Sequence, residues 1–250
     1  MTPVNFCGIN FDCLEHQQVF KEENKTRFVV TVNAEFIVKS SHNQKLLNII
    51  NTNHATFDGQ IPYLFARLLN RQKHFNKISG SDLIYEACEY AQQHQKSLFL
   101  LGGNSESNAV AVENIKQRYG IRVEGYSPPY EDYPFTPEND RITLEKIQEF
   151  KPDFLFVGFG AIKQEYWIND HLNFLNQQQV TLAVGCGGTF DFVSGQATRA
   201  PRFVQKAGFE GVWRFITEPR LFRFKRLLES FHFFNVLYNH HIAIGRKQFL

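Results

Sequence analysis

Val157-Gly158-Phe159-Gly160-Ala161-Ile162-Lys163-Gln164-Glu165, followed soon after by Gly185-Cys186-Gly187-Gly188-Thr189-Phe190-Asp191, decides the fold. Each stretch ends an apolar run in glycines and then polar groups. A buried parallel strand has this look where its C-terminal end meets a ligand. Two such ends so close in sequence predict neighbouring strand tips and one shared crevice. Lys163, Gln164, Glu165, Thr189 and Asp191 are its first candidate contacts.

Outward from these stretches the chain alternates strand-like and helix-like segments. Strands are read at 27–32, 54–57, 97–101, 122–126, 154–157 and 180–184. Helices are read at 43–50, 60–70, 83–95, 105–119 and 142–149, with another beyond Gln164. Ser79-Gly80-Ser81-Asp82 offers a capping box ahead of the third of these. A loop carrying Pro128, Pro129, Pro134 and Pro137 fills 127–140. Repeated β-α units of this length predict an α/β fold, a Rossmann-like, mostly parallel sheet with helices on both faces.

The end of the chain changes character. From Arg199 onward there are ten basic and three acidic residues, a segment charge of +7 within a net charge of +2. The same segment holds 11 of the 37 aromatic residues. It reads as a helical appendage, giving a division into an α/β body at 1–198 and a basic tail at 199–250. In a tail helix read over 219–238, Leu221, Phe224, Leu228 and Phe231 make an apolar stripe beside a basic ridge of Arg220, Arg223 and Arg226. Such a helix either packs on the body or lies on anionic lipid. An anionic partner is expected: a membrane surface, a polyphosphate group or nucleic acid.

Other chemistry is poorly supported. The 250 residues include no apolar run of about 18 that could span a bilayer, and the N-terminus is no signal peptide. Cys7, Cys13, Cys88 and Cys186 lack metal-ligand or redox spacing, which points to a reducing cytoplasm. His240-His241 reads as an exposed loop pair. There is no G-x-S-x-G, no phosphate-loop motif and no G-x-G-x-x-G, so a hydrolase triad and an NAD-dependent oxidoreductase are unsupported. Asp58, before Gly59 and after a strand, either closes a turn or presents a carboxylate suited to general-base work.

Eight blocks in order carry a resemblance. They are Thr31-Val-Asn-Ala-Glu35, Phe57-Asp-Gly59, Gly80-Ser-Asp-Leu83, Leu100-Leu-Gly-Gly103, Gly160-Ala-Ile-Lys-Gln-Glu-Tyr-Trp-Ile168, Gly185-Cys-Gly-Gly-Thr-Phe-Asp191, Arg199-Ala-Pro201 and Glu218-Pro-Arg220. In content, order and spacing the chain resembles the WecG/TagA/CpsF glycosyltransferases of bacterial surface-polysaccharide synthesis, capsule and exopolysaccharide included. The resemblance implies inverting transfer from a UDP-sugar to a polyprenyl-diphosphate-linked sugar at the cytoplasmic face of the membrane. It implies neither metal nor nucleic acid. Hexosyl or N-acetylhexosaminyl groups are the expected cargo, and homo-oligomer formation is left open.

By motif, Asp58 is expected to be the general base, with Thr31 beside it and Asn33 lining the same pocket. Gln164 and Asp191 are expected at the nucleotide, with Tyr130 and Lys77 from nearby loops. Arg214, Arg220 and Arg223 are expected to neutralise the lipid diphosphate. Val32, Phe57 and Ile162 stand where the family pattern has proline, a difference expected to alter loop stiffness rather than chemistry. A non-catalytic Rossmann-like module binding a nucleotide or polyanion is the reading from another class.

Overall fold

A computed structural model describes residues 2–219 and 221–247, with side chains at 2–219, 221 and 223–240. The chain opens with a hairpin of β1 (Val4–Phe6) and β2 (Ile9–Phe11). Its turn residues Cys7 and Gly8 both have positive φ, 53° and 80°, the backbone a two-residue hairpin needs. The fully buried β3 (Arg27–Val32) leads into α1 (Ala34–Ser41), whose N-terminus is capped by the Asn33 side chain accepting from Phe36 N–H. Asn43 caps α2 (Gln44–Thr52) in the same way, and β4 (His54–Phe57) and α3 (Gln60–Leu69) follow.

Ser79 caps α4 (Gly80–His94), as its sequence indicates. Next come β5 (Leu98–Gly102), α5 (Ser105–Tyr119), β6 (Val123–Tyr126) and α6 (Pro137–Phe150). Thr136 caps α6 and Pro137 opens it, so the proline loop ends earlier and the helix begins earlier than read. Then β7 (Phe154–Gly158), α7 (Lys163–Asp170), α8 (Leu172–Gln177), β8 (Leu182–Gly185) and α9 (Thr189–Val193) complete the alternation. The tail forms α10 (Arg202–Lys206), α11 (Glu210–Thr217), α12 (Leu221–Phe231) and α13 (Phe233–Lys247). The single helix expected at 219–238 is thus two, parted at a turn on His232. His240-His241 lies within α13, not in a loop.

The α/β class and its mostly parallel strands stand, with helices at the C-terminal end. Two compact units are present. The first gathers Met1–Leu14, Val32–Lys77 and Thr198–Leu250. In it β1 and β2 are antiparallel, and β2 runs parallel to β4 with Phe11 opposite Ala55. Phe11 stacks on Phe57 with centroids 3.7 Å apart, Phe6 and Phe75 pack edgewise or tilted on Phe57, and Phe233 of α13 lies 6.2 Å from Phe6. All five rings are buried, so the tail helix α13 is part of this core.

The second unit is Glu15–Thr31 and Ile78–Ala197. Its strands lie in the order β3-β8-β7-β5-β6, all parallel. From β5 the chain passes to β6 on one side and then to β7 on the other. That reversal is a topological switch point, where α/β sheets hold ligands beyond the carboxyl ends of their strands. The two glycine-ended tips that decide the fold belong to β7 and β8, paired with Val157 opposite Gly185, as their sequences imply.

Candidate functional site

In the second unit, close packing explains the glycines. Gly103 N–H donates to Gly158 O at 3.0 Å, tying the ends of β5 and β7 together. A Cβ at Gly103 or Gly158 would lie 2.9 Å from the ring of buried Phe190, and one at Gly102 would lie 2.6 Å from Phe159. Only glycine leaves room for these rings under the switch point.

Gln164 is buried at the start of α7. Its Oε1 accepts from Gly187 N–H at 3.1 Å and its Nε2 donates to Glu165 Oε1 at 2.7 Å. Glu165 in turn accepts at Oε2 from the Ile162 N–H, 2.7 Å away. The buried amide–carboxylate pair therefore fixes the turn after β8 from the turn after β7. Thr189, also buried, donates to Cys186 O at 2.6 Å. Burial pushes the Cys186 thiol far up, so it stays neutral and structural.

Asp191 sits in the first turn of α9, with Ser107 of α5 donating to its Oδ1 at 2.9 Å. Tyr130 is 90% exposed, its ring 4.5 Å from Lys163 Nζ, which also meets Asp132 at 2.8 Å. Burial draws the Lys163 pKa down, but hydrogen bonds to Asp132 and Tyr130 outweigh it and leave the pKa raised. Lys163 therefore remains a cation. Thr31 is buried near the end of β3, with its hydroxyl donating to Gly185 O at 3.2 Å. It braces β3 against β8, and a Cβ on Gly80 would lie 3.4 Å from its Oγ1.

In the first unit, Asp58 directly follows β4. Its N–H donates to Val32 O at 3.0 Å, and its side chain is half-buried. Lys77 enters the same neighbourhood through its backbone, which bridges in parallel to Phe57. Asn33, besides capping α1, has its Cα 3.6 Å from where a Cβ on Gly59 would stand. Asn33, Asp58 and Lys77 are thus brought together around the tip of β4.

Sequence reading missed Glu35, which is buried in the first turn of α1. Its Oε1 takes a 2.5 Å ion pair from Lys39 and its Oε2 a 2.6 Å pair from Arg226 of α12. Lys39 also reaches Glu229 at 3.8 Å. The signal was present in Asn33 as a helix cap two residues before an acidic residue. Of the expected tail arginines, Arg214 is half-buried on α11 and Arg223 pairs with Glu218 at 2.5 Å. Arg220 lies outside the described residues. The apolar stripe Leu221, Phe224, Leu228 and Phe231 is exposed at all four positions. Arg226 of the basic ridge meets Glu35 of α1, and Phe224 of the apolar stripe lies 5.7 Å from Phe215 of α11, while Leu221, Leu228 and Phe231 stay exposed.

Among the described residues, no three His, Cys, Asp or Glu side chains are grouped to share a metal ion. Among the same residues, no helix is long and apolar enough to cross a membrane.

Comparison with known proteins gives this geometry a family. Residues 4–246 match the model of the glycosyl transferase WecG/TagA/CpsF family. An N-acetylglucosaminyldiphosphoundecaprenol N-acetyl-beta-D-mannosaminyltransferase of Bacillus spizizenii is 27% identical over 237 residues, covering 93% of this chain and 87% of that protein. The protein of the same description from Staphylococcus aureus strain NCTC 8325 is 29% identical over 234 residues, covering 90% and 89%. With its glycine-ended strand tips, its Asp58 strand end and its tail as far as residue 246 inside the matched span, the chain belongs to the WecG/TagA/CpsF family of glycosyltransferases.

Proposed function

We propose that this protein moves an N-acetylhexosaminyl group, with inversion, from a UDP-sugar to a sugar carried on a polyprenyl diphosphate. The names of its relatives support the acceptor, an N-acetylglucosaminyl diphosphoundecaprenol, and N-acetylmannosamine as the transferred group. The observation that carries the reading is Asp58. Its half-buried carboxylate stands at a strand tip whose backbone is pinned by Val32 and whose neighbour Phe57 is paired with Lys77. In the proposed step Asp58 takes the proton of the acceptor hydroxyl as that oxygen attacks the anomeric carbon. The bond to UDP breaks on the opposite face, and its electron pair leaves with the diphosphate. Thr31 acts as a positioning residue through its bond to Gly185, and Asn33 lines the acceptor pocket.

At the donor, Gln164 sets the Gly187 turn so that backbone N–H groups can meet the nucleotide. Asp191 receives a hydroxyl of it, with Tyr130 and Lys77 as further contacts. Arg214, Arg220 and Arg223 are assigned to the lipid diphosphate, for which a guanidinium fork is suited in charge and shape. No metal is required in this scheme, because fixed cations and N–H groups stabilise the developing charge. The exposed apolar stripe of α12 and the +7 charge of 199–250 support peripheral attachment to the anionic inner face of the plasma membrane.

UDP release from a panel of UDP-sugars, with a short-chain polyprenyl-diphosphate N-acetylglucosamine as acceptor, tests the proposal. The parent enzyme should turn over one donor and give a β-linked product. Asp58→Asn should still bind UDP while turnover falls by about a hundredfold or more. Unchanged turnover in that variant removes Asp58 as base, and no release from any donor favours a non-catalytic binding module.

A further inference from the structure

The outer face of α3 has no role in the chemistry above. Pro62 and Ala66 are buried and Phe65 packs on Phe233 and Phe234 of α13, with centroids 6.1 and 5.8 Å apart. On the other side Leu64 and Leu68 are 50% and 54% exposed. Leu64 and Leu68 are one helical turn apart and share a face. Together they form a small apolar patch on the surface of the helix.

Charge identifies the partner. Between Gly59 and Ser81 there is no Asp or Glu, while Arg67, Arg71, Lys73 and Lys77 are all cationic. Arg67 and Arg71 are both exposed. Exposed leucines beside the exposed Arg67 and Arg71 suit a surface with an apolar interior and anionic groups at its boundary. The tail also makes direct contact with this helix: a Cβ on Gly208, in the turn between α10 and α11, would lie 2.7 Å from Ile61 of α3. The flanking tail residues Phe203 and Phe209 are exposed as well.

We propose that α3 is a second membrane-contacting element, inserting Leu64 and Leu68 among the acyl chains of an anionic bilayer while Arg67 and Arg71 meet phospholipid headgroups. This rests on the membrane-attached glycosyltransferase reading and extends it beyond the tail. The geometry gives the contact a purpose. Helix α3 starts two residues after Asp58, and Leu64 and Leu68 stand about 6 and 12 Å of helix rise from Gln60. Lipid bound there fixes the height of the proposed base above the surface that carries the acceptor.

Co-sedimentation of the full chain with vesicles of phosphatidylcholine, with and without phosphatidylglycerol, tests this. Leu64→Ser/Leu68→Ser should weaken binding to the anionic vesicles about tenfold or more. Arg67→Gln/Arg71→Gln should weaken binding only where phosphatidylglycerol is present. Arg71→Gln alone, which leaves Arg67 over the Tyr63 and Phe75 rings, decides the matter if the serine variant loses its melting transition. Leu228→Ser/Phe231→Ser reports on the tail separately. If only the tail variant loses binding, α3 is not a lipid contact and membrane attachment stands on the tail alone. If the parent binds neither vesicle, both readings fall. A serine variant that turns a dimer into a monomer in sedimentation velocity, with vesicle binding intact, assigns the face to a second copy of the chain instead.

Discussion

Ile162 has φ +76°, a backbone region that β-branched residues avoid. The family pattern has proline at this position, and proline is confined to φ near about −65°. Proline could not adopt the φ that Ile162 has here. Ile162 also supplies the N–H that Glu165 accepts, and Glu165 holds Gln164. Ile162→Pro should thus cost about 2–4 kcal/mol in chemical denaturation and weaken UDP binding. Ile162→Gly keeps the N–H and relaxes the positive φ, so it should stay within about 1 kcal/mol of the parent. Equal stability of the two variants would contradict this account. A second residue-scale effect depends on pH. Hydrogen bonding to Glu86 at 2.9 Å lifts the His16 pKa above its ordinary value, against a smaller opposing effect of burial. The pair's stabilisation is complete below the unfolded histidine pKa and is lost as pH rises through the higher folded value. Glu86→Gln should therefore destabilise more near pH about 5.5 than near about 8.5, by at most about 1 kcal/mol because the pair is half-exposed. Identical losses at both pH values would rule the linkage out. Glycine-ended strand tips were legible in sequence because their chemistry is local. The positive φ at Ile162 was not, since the identity of that residue argues against the conformation it adopts.

Helices announced themselves where caps were strong and periodicity was long. Ser79 and the run after it located α4, whereas α1 was missed although Asn33 caps it. Its eight residues mix β-branched and polar side chains, and its register is set by Glu35 meeting Arg226. That partner lies far along the chain, beyond the reach of local pattern. The same distance hid the orientation of α12. Periodicity found its apolar stripe and basic ridge, but not that Arg226 meets the buried Glu35 or that Phe224 lies against Phe215. Breaking that contact has a predictable result. Arg226→Met should cost about 1–2 kcal/mol, below a fully buried pair because Arg226 is partly exposed. Glu35→Gln should cost a similar amount, and the double variant less than the sum of the two singles. Additive losses in a denaturation-based double-mutant cycle would show that the two side chains act independently.

The tail is charged and helical, as its composition implied, yet it shares a compact unit with Met1–Leu14 and Val32–Lys77. Phe233 is the reason at atomic level: it is buried between Phe6 and Phe65. Cutting the chain near residue 198 therefore uncovers aromatic core. The truncated protein should melt at least several degrees below the full chain and bind an environment-sensitive apolar dye more strongly. An unchanged melting temperature would show that Phe233 contributes little. Sequence alone could not reveal this, because a buried Phe and an exposed Phe on one amphipathic helix look alike until their partners are placed. The noncontiguous make-up of the units also dictates an order of events during synthesis. Glu15–Thr31 and Ile78–Ala197 are all in hand once residue 197 has left the ribosome, and the second unit can close at that point. The first cannot, for its opening hairpin waits on Phe233. Until then Phe6 has no ring from α13 to cover it, so a ribosome paused between residues 198 and 233 would carry a nascent chain half finished and exposed to chaperones.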